Sequence, residues 1–145
     1  MFIEKVSRVT DDLCHALEHL IPQLGVHKRP PSREELEALI HSGSSHLLVA
    51  RYPDEHGEIA GTLCLTVYRV PSGVRSIVED LVVDEKMRRL GIGEALIRYA
   101  IDLAREAGAN GVSLTSNQRR VAANLFYQAL GFEKRETNVY FYRLE

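Results

Sequence analysis

Two periodicities, one of two residues and one near 3.6, divide the chain into elements. Residues 2–8 set Phe2, Glu4 and Val6 against Ile3, Lys5 and Ser7, which predicts an opening strand. Thr10, followed by Asp11 and Asp12, reads as the N-cap and acidic first turn of a helix reaching about Leu20. Pro22, Gly25, Pro30 and Pro31 break that pattern, and Ser32-x-x-Glu35 has the form of a capping box for a short helix ending near His41. Leu47–Tyr52 and Glu58–Val70 are strand-like and joined by the turn-rich Pro53 to Gly57, hence a hairpin; Pro71-Ser72-Gly73 turns the chain into a strand over Val74–Asp84. From Gly91 the spacing Ile92, Leu96, Tyr99, Leu103 and Ala107 marks one helical face, closed by Gly108. Gly111–Thr115 is strand again. Val121, Ala122, Leu125, Ala129 and Leu130 stripe a last helix before Gly131, and Phe132–Arg135 with Val139–Leu144 supply a final strand pair.

The resulting order, β-α-α-β-β-β-α-β-α-β-β, mixes a meander with strand-helix-strand crossovers and predicts an α+β domain built on a mixed sheet. At 145 residues the chain, 1–145, fits one domain large enough for a single core. A net charge of −2 gives no broad basic surface, so nucleic acid is not expected as a partner. The longest strongly apolar stretch, Ile59 to Tyr68, is about ten residues, short of the roughly twenty that span a bilayer. The acidic, alternating N-terminus does not resemble a signal peptide. Cys14 and Cys64 lack a CxxC spacing and read as reduced core residues. Together these predict a cytoplasmic protein.

The most informative segment is residues 77–98, an apolar strand running through Arg88-Arg89-Leu90-Gly91-Ile92-Gly93 into a helix. Gly91 and Gly93 let a ligand approach the backbone closely, and the unpaired amides of a helix's first turn point the same way. The helix dipole contributes about half a positive charge and the two arginines add formal ones, a combination suited to a diphosphate. The third glycine of a dinucleotide fingerprint is missing, as is the Gly-Lys-Ser/Thr end of a Walker A loop.

The spacing Arg88-x-x-Gly91-x-Gly93 resembles the acetyl-CoA signature of the GNAT (general N-acetyltransferase) superfamily, Arg/Gln-x-x-Gly-x-Gly/Ala. Ala122 to Phe132 is similar to a second element of that family, Ala-x-x-Leu/Phe-Tyr-x-x-x-Gly-Phe. The two motifs cover residues 77–132, and the element order is similar over nearly the whole chain. The resemblance implies a GNAT-like, mostly antiparallel sheet of about seven strands flanked by about four helices. It implies acetyl-CoA as cosubstrate, with no metal, and an amine acceptor. The cofactor would lie against Leu81, Val82 and Val83 and the loop of Arg88, Arg89, Leu90, Gly91, Ile92 and Gly93.

Acetyl transfer to an amine makes three demands. The amine, an ammonium with a pKa of about 10, must lose a proton to a carboxylate or a water held by one. Glu79 and Asp80 stand in an otherwise apolar strand, where burial would raise their pKa values toward neutrality. Strand alternation puts them on opposite faces, and a β-bulge would exchange those faces. The family commonly uses a glutamate here, which favours Glu79; the other reading leaves both exposed or paired with Arg75 or Arg98. The oxyanion needs free backbone N–H groups, by resemblance those of Leu81 to Val83, on a strand edge that splays open and receives the pantetheine arm. The departing thiolate needs a proton, and Tyr127 matches the family's general acid. Many members carry asparagine seven positions earlier, where this chain has Arg120. Asn124 is then a candidate for the pantetheine amides, and Arg119 or Arg120 for the 3′-phosphate.

His15-x-x-Glu18-His19 matches an inverted zinc-protease pattern, which is an alternative, as is an acyl-CoA-binding module without catalysis. The acceptor pocket is expected from residues 20–45, 68–75 and 135–139. Glu34, Glu35 and Glu37 could draw a polyamine or aminoglycoside there, or simply face solvent. Ile77 to Val83 also resembles the corresponding strand of glucosamine-phosphate acetyltransferases. Exposed strand edges offer a route to a homodimer.

Overall fold

The computed structural model describes the whole chain, Met1–Glu145, as two compact units, Met1–Leu114 and Thr115–Glu145. The first contains β1 (Phe2–Lys5), α1 (Asp11–Leu20), a short 3-10 helix (Ile21–Leu24), α2 (Arg33–Ile40), β2 (Ser45–Tyr52), β3 (Glu58–Val70), β4 (Gly73–Val83), a 3-10 turn (Glu85–Met87), α3 (Ile92–Glu106) and β5 (Val112–Ser113). The strands lie in sequence order in one sheet, antiparallel except for the parallel pair β4/β5, which α3 connects as a crossover. No helix is long and apolar enough to cross a membrane.

Local chemistry starts the helices where the sequence predicts. Thr10 Oγ1 accepts from Leu13 N at 3.1 Å, and the Ser32–Glu35 capping box is complete on both sides. The amphipathic α1 and α2 bury Leu13, Leu17, Leu20 and Leu36 against Leu47, Val49, Ile59 and Val82. Residues paired across strands share a face, so Leu48 and Leu63 face away from that cluster, toward α3. Both faces are therefore covered, which explains why β2 and β3 carry continuous apolar runs. At Gly61 an added Cβ would lie 3.2 Å from Ile92 Cγ2 and 3.3 Å from Leu96 Cδ1. That glycine lets the first turns of α3 settle onto the sheet.

Several sequence expectations are corrected. The sheet has five strands, not about seven, and β1 ends at Lys5 because the chain leaves the ladder after Val6 N donates to Leu47 O. The sheet-facing line of α3 is Ile92, Leu96, Ala100 and Ala104 with Ile97. Tyr99 and Leu103 lie at its margin and Ala107 is exposed, because the buried face follows the i, i+4 row, which winds slowly around the helix axis, rather than the axial line of the sequence pattern.

The second unit contains one regular element, α4 (Val121–Ala129). The expected strand pair at Phe132–Arg135 and Val139–Leu144 is absent, and Val139 to Tyr142 are 75–87% exposed. Apolar alternation supplies a side-chain pattern, but a strand also needs a partner for its backbone groups, and this unit provides none. For the same reason the stripe of α4 is uncovered within its unit, with Val121 and Leu125 exposed by 64% and 62%. Its half-buried residues are Ala123, Asn124, Phe126 and Tyr127.

Candidate active site

After β4 the backbone reaches α3 through two left-handed residues, Arg89 at φ +66° and Gly91 at φ +82°. Gly91 is the N-cap of α3. The first helical bond here is Ala95 N to Gly91 O at 3.1 Å, so the amides of Ile92, Gly93 and Glu94 precede the ladder and are unshared. A Cβ at Gly91 would meet nothing within 4 Å, so the space above the helix mouth is open. Arg88, Arg89 and Leu90 are exposed beside it. Glu94, the one acid of this first turn, is drawn back along the helix by Arg98 Nε at 3.0 Å. Donors, dipole and guanidinium groups together fit an anion with several oxygens.

β5 pairs with β4 only at Ser76 and Ile77, and from Val78 to Val83 the outer edge of β4 has no partner strand. On the inner edge Asp84 N donates to Ala60 O at 2.8 Å. Alternation along the ladder then turns the backbone groups of Leu81 and Val83 to the open edge and those of Val82 toward β3. Val82 contributes its side chain to the core under α1 and α2. An edge with free groups thus runs into the amide-lined helix mouth.

The register between β3 and β4 slips between Thr62 and Cys64, since Cys64 pairs with Glu79 but Thr62 with Val82. Asp80 and Leu81 share one place opposite Leu63, and Asp80 takes φ +50°, which is a β-bulge. It exchanges the faces: Glu79 and Val82, three apart, both lie on the α1/α2 side. Glu79 and Asp80 are exposed, so the burial that the apolar sequence around them suggests is not there. Neither expected arginine pairs with them, because Arg75 donates to Ser72 Oγ and Arg98 to Glu94. The half-buried Cys64 is their neighbour; burial, then Asp80 and Glu79, push its thiol up.

His19, one of the zinc-pattern histidines, is engaged elsewhere: its Nε2 lies 3.0 Å from Asp84 Oδ2. No three metal-binding side chains gather anywhere in the chain. Asp84, Gln23 and Gly61 went unnoticed in the sequence. Only Gly61 carried a signal, as a glycine inside a strand.

In the second unit, Tyr127 is half-buried between Phe126 and Phe132, with ring centroids at 5.4 and 6.0 Å. Burial raises its pKa against the opposing pull of Arg120, so the phenol keeps its proton. Asn124 Nδ2 donates to Asn117 O at 3.0 Å and Arg120 O at 2.8 Å. Both amide hydrogens are spent on shaping the loop before α4, and only Oδ1 is left to meet a ligand.

Residues 12–132 match the acetyltransferase (GNAT) family. The chain belongs to that family. It is 37% identical over 102 residues to the uncharacterized N-acetyltransferase YhdJ of Bacillus subtilis, covering 68% of this chain and 69% of that one. It is 31% identical over 101 residues to N-acetyltransferase family 8 member 3 of Rattus norvegicus, covering 68% of this chain but 43% of the rat protein. Among solved structures, an aminoglycoside acetyltransferase from an uncultured soil metagenomic sample superimposes with a TM-score of 0.83 at 23% identity, over 99% of this chain and 95% of that one. Glucosamine-6-phosphate N-acetyltransferase from Arabidopsis thaliana does so with a TM-score of 0.79 at 21% identity, over 98% of this chain and 99% of the other. At these identities the likeness is one of fold. It supports the α+β GNAT architecture with its mixed sheet.

Proposed function

We propose that the chain is one GNAT domain, the family match running through both compact units, that transfers the acetyl group of acetyl-CoA directly to a primary amine of a small molecule or peptide. The observation that carries this reading is the continuity of the open β4 edge, Leu81 and Val83, with the unshared amides at the mouth of α3. A diphosphate seats at Ile92, Gly93 and Glu94 with Arg88 and Arg89 alongside, and the pantetheine arm extends along β4 as an added strand. Edge N–H groups of Leu81 and Val83 then serve the thioester oxygen as negative charge develops on it.

In the step itself the neutral amine nitrogen bonds to the carbonyl carbon, the carbon–sulfur bond breaks, and the nitrogen gives up its second proton to solvent, leaving an amide and CoA thiolate. Glu79 takes the ammonium proton through water, a role consistent with an exposed carboxylate, with Asp80 at the bulge as the other candidate. Tyr127 supplies the proton to the thiolate, assigned by resemblance and supported by its raised pKa. Asn124 contributes at most an acceptor, Oδ1, to the pantetheine amides. The two cysteines are free, and the cytoplasm is the compartment this reading favours.

The test is acetyl-CoA-dependent thiol release across a panel of amines, including aminoglycosides, glucosamine 6-phosphate, polyamines and peptides. Glu79→Gln and Tyr127→Phe should each lower kcat by about 10²-fold or more with little change in acetyl-CoA affinity. Unchanged rates in both variants would remove their assigned roles.

A further inference from the structure

The loop that presents the amide cradle carries a strained residue, the left-handed Arg89 at φ +66°, two positions before Gly91, which as a glycine takes its own left-handed φ freely. Such backbone persists only where its two ends are held. The helix end is held by Ile92, fully buried against Gly61. The strand end is held by a polar cluster reaching over from α1 and the 3-10 helix that follows it. His19, on α1, meets Asp84 Oδ2 through Nε2 at 3.0 Å, and because a carboxylate only accepts, that nitrogen carries the hydrogen. Gln23, in the 3-10 helix after α1, donates to Asp84 Oδ1 at 3.5 Å and to His19 O at 3.3 Å, and its Oε1 accepts from Glu85 N at 3.0 Å. Asp84 Oδ1 also accepts from Lys86 N at 3.2 Å, and Asp84 O from Met87 N at 2.8 Å.

We infer that His19 and Gln23 are positioning residues for coenzyme A: acting through Asp84, they fix the loop that presents the amide cradle although neither lies in it. The cluster also ties the segment where the acceptor is expected, beginning at residue 20, to the entrance of the phosphate loop. It thereby gives the two substrates a shared support. Desolvation opposes ionisation of Asp84, but the Lys86 amide, His19 and Gln23 outweigh it and hold the carboxyl below its usual range, so the acceptor of the network stays charged at neutral pH.

This rests on the diphosphate reading of the cradle, and the experiment separates the two. Coenzyme A is titrated calorimetrically into wild type, His19→Ala, Gln23→Ala and His19→Gln, while amide hydrogen exchange is followed over residues 85–94 without ligand. His19→Ala and Gln23→Ala should each weaken binding by about three- to tenfold, the worth of one or two hydrogen bonds, and speed exchange across the loop. His19→Gln, which restores a donor of similar reach, should recover most of both. His19 is more than half exposed, so the thermal midpoint should hardly move. Wild type that takes up no coenzyme A while the variants exchange faster defeats the ligand reading and keeps the strut. Coenzyme A affinities within twofold of wild type and unchanged exchange overturn the strut.

Discussion

Gly61→Ala tests how closely the sheet seats α3. The new methyl would lie 3.1 Å from Val82 O, 3.2 Å from Ile92 Cγ2 and 3.3 Å from Leu96 Cδ1, tight on three sides, one of them backbone that cannot rotate away. Overpacking of this kind costs about 1–3 kcal/mol, while removing a glycine from the unfolded chain returns about 0.4–1 kcal/mol. The net is a loss of about 1–2 kcal/mol, a fall of roughly 3–6 °C in midpoint for a chain of this size. The methyl also pushes α3 outward at its N-terminus, so affinity for coenzyme A should fall as well. Thermal unfolding and calorimetry on Gly61→Ala, Ile92→Ala and the double variant measure both effects. Trimming Ile92 removes one contact and leaves the Val82 carbonyl, so the double variant should lose at least about 0.5 kcal/mol less than the sum of the singles. A midpoint that rises in Gly61→Ala, or strict additivity, would refute the close approach of α3 to β3.

Gly91→Ala should cost about 1–2 kcal/mol purely through its left-handed backbone, since the methyl itself meets nothing; Gly91→Asn, better suited to that region, should unfold at a higher temperature than Gly91→Ala. Thr10→Ala leaves Leu13 N without its cap and should cost about 1 kcal/mol by denaturant unfolding. Asp84 has a folded pKa below its ordinary 3.8, so its contribution is complete above that pH and is lost as pH falls through the folded value. The stability gap between wild type and Asp84→Asn should accordingly hold down to about pH 5 and close only in stronger acid; a gap that closes already above pH 5 would refute this account of Asp84.

Periodicity, caps and turn residues were enough to place α1, α2, the β2–β3 hairpin, β4 and α3, because each depends on contacts a few residues apart. The glycine-arginine loop was legible for the same reason: a helix mouth, its free amides and its flanking charges are local. What the sequence could not carry were properties set by partners far along the chain. The apolar alternation of Val139–Leu144 forms no strand, because a strand also requires a neighbouring backbone. Glu79 and Asp80 look expensive to bury inside Ile77 to Val83, yet a one-residue bulge and the early end of β5 leave them exposed. His19 advertised a metal by its spacing, and only the fold showed its nitrogen given to a carboxylate 65 positions away. The sequence by itself determined α1, α2, the β2–β3 hairpin, β4, α3 and the glycine-rich loop with its unshared amides, since these follow from near neighbours. The open edge of β4, the face that Glu79 occupies and the anchor at Asp84 were decided by the tertiary structure, since each depends on which distant strand or side chain is absent or present beside it.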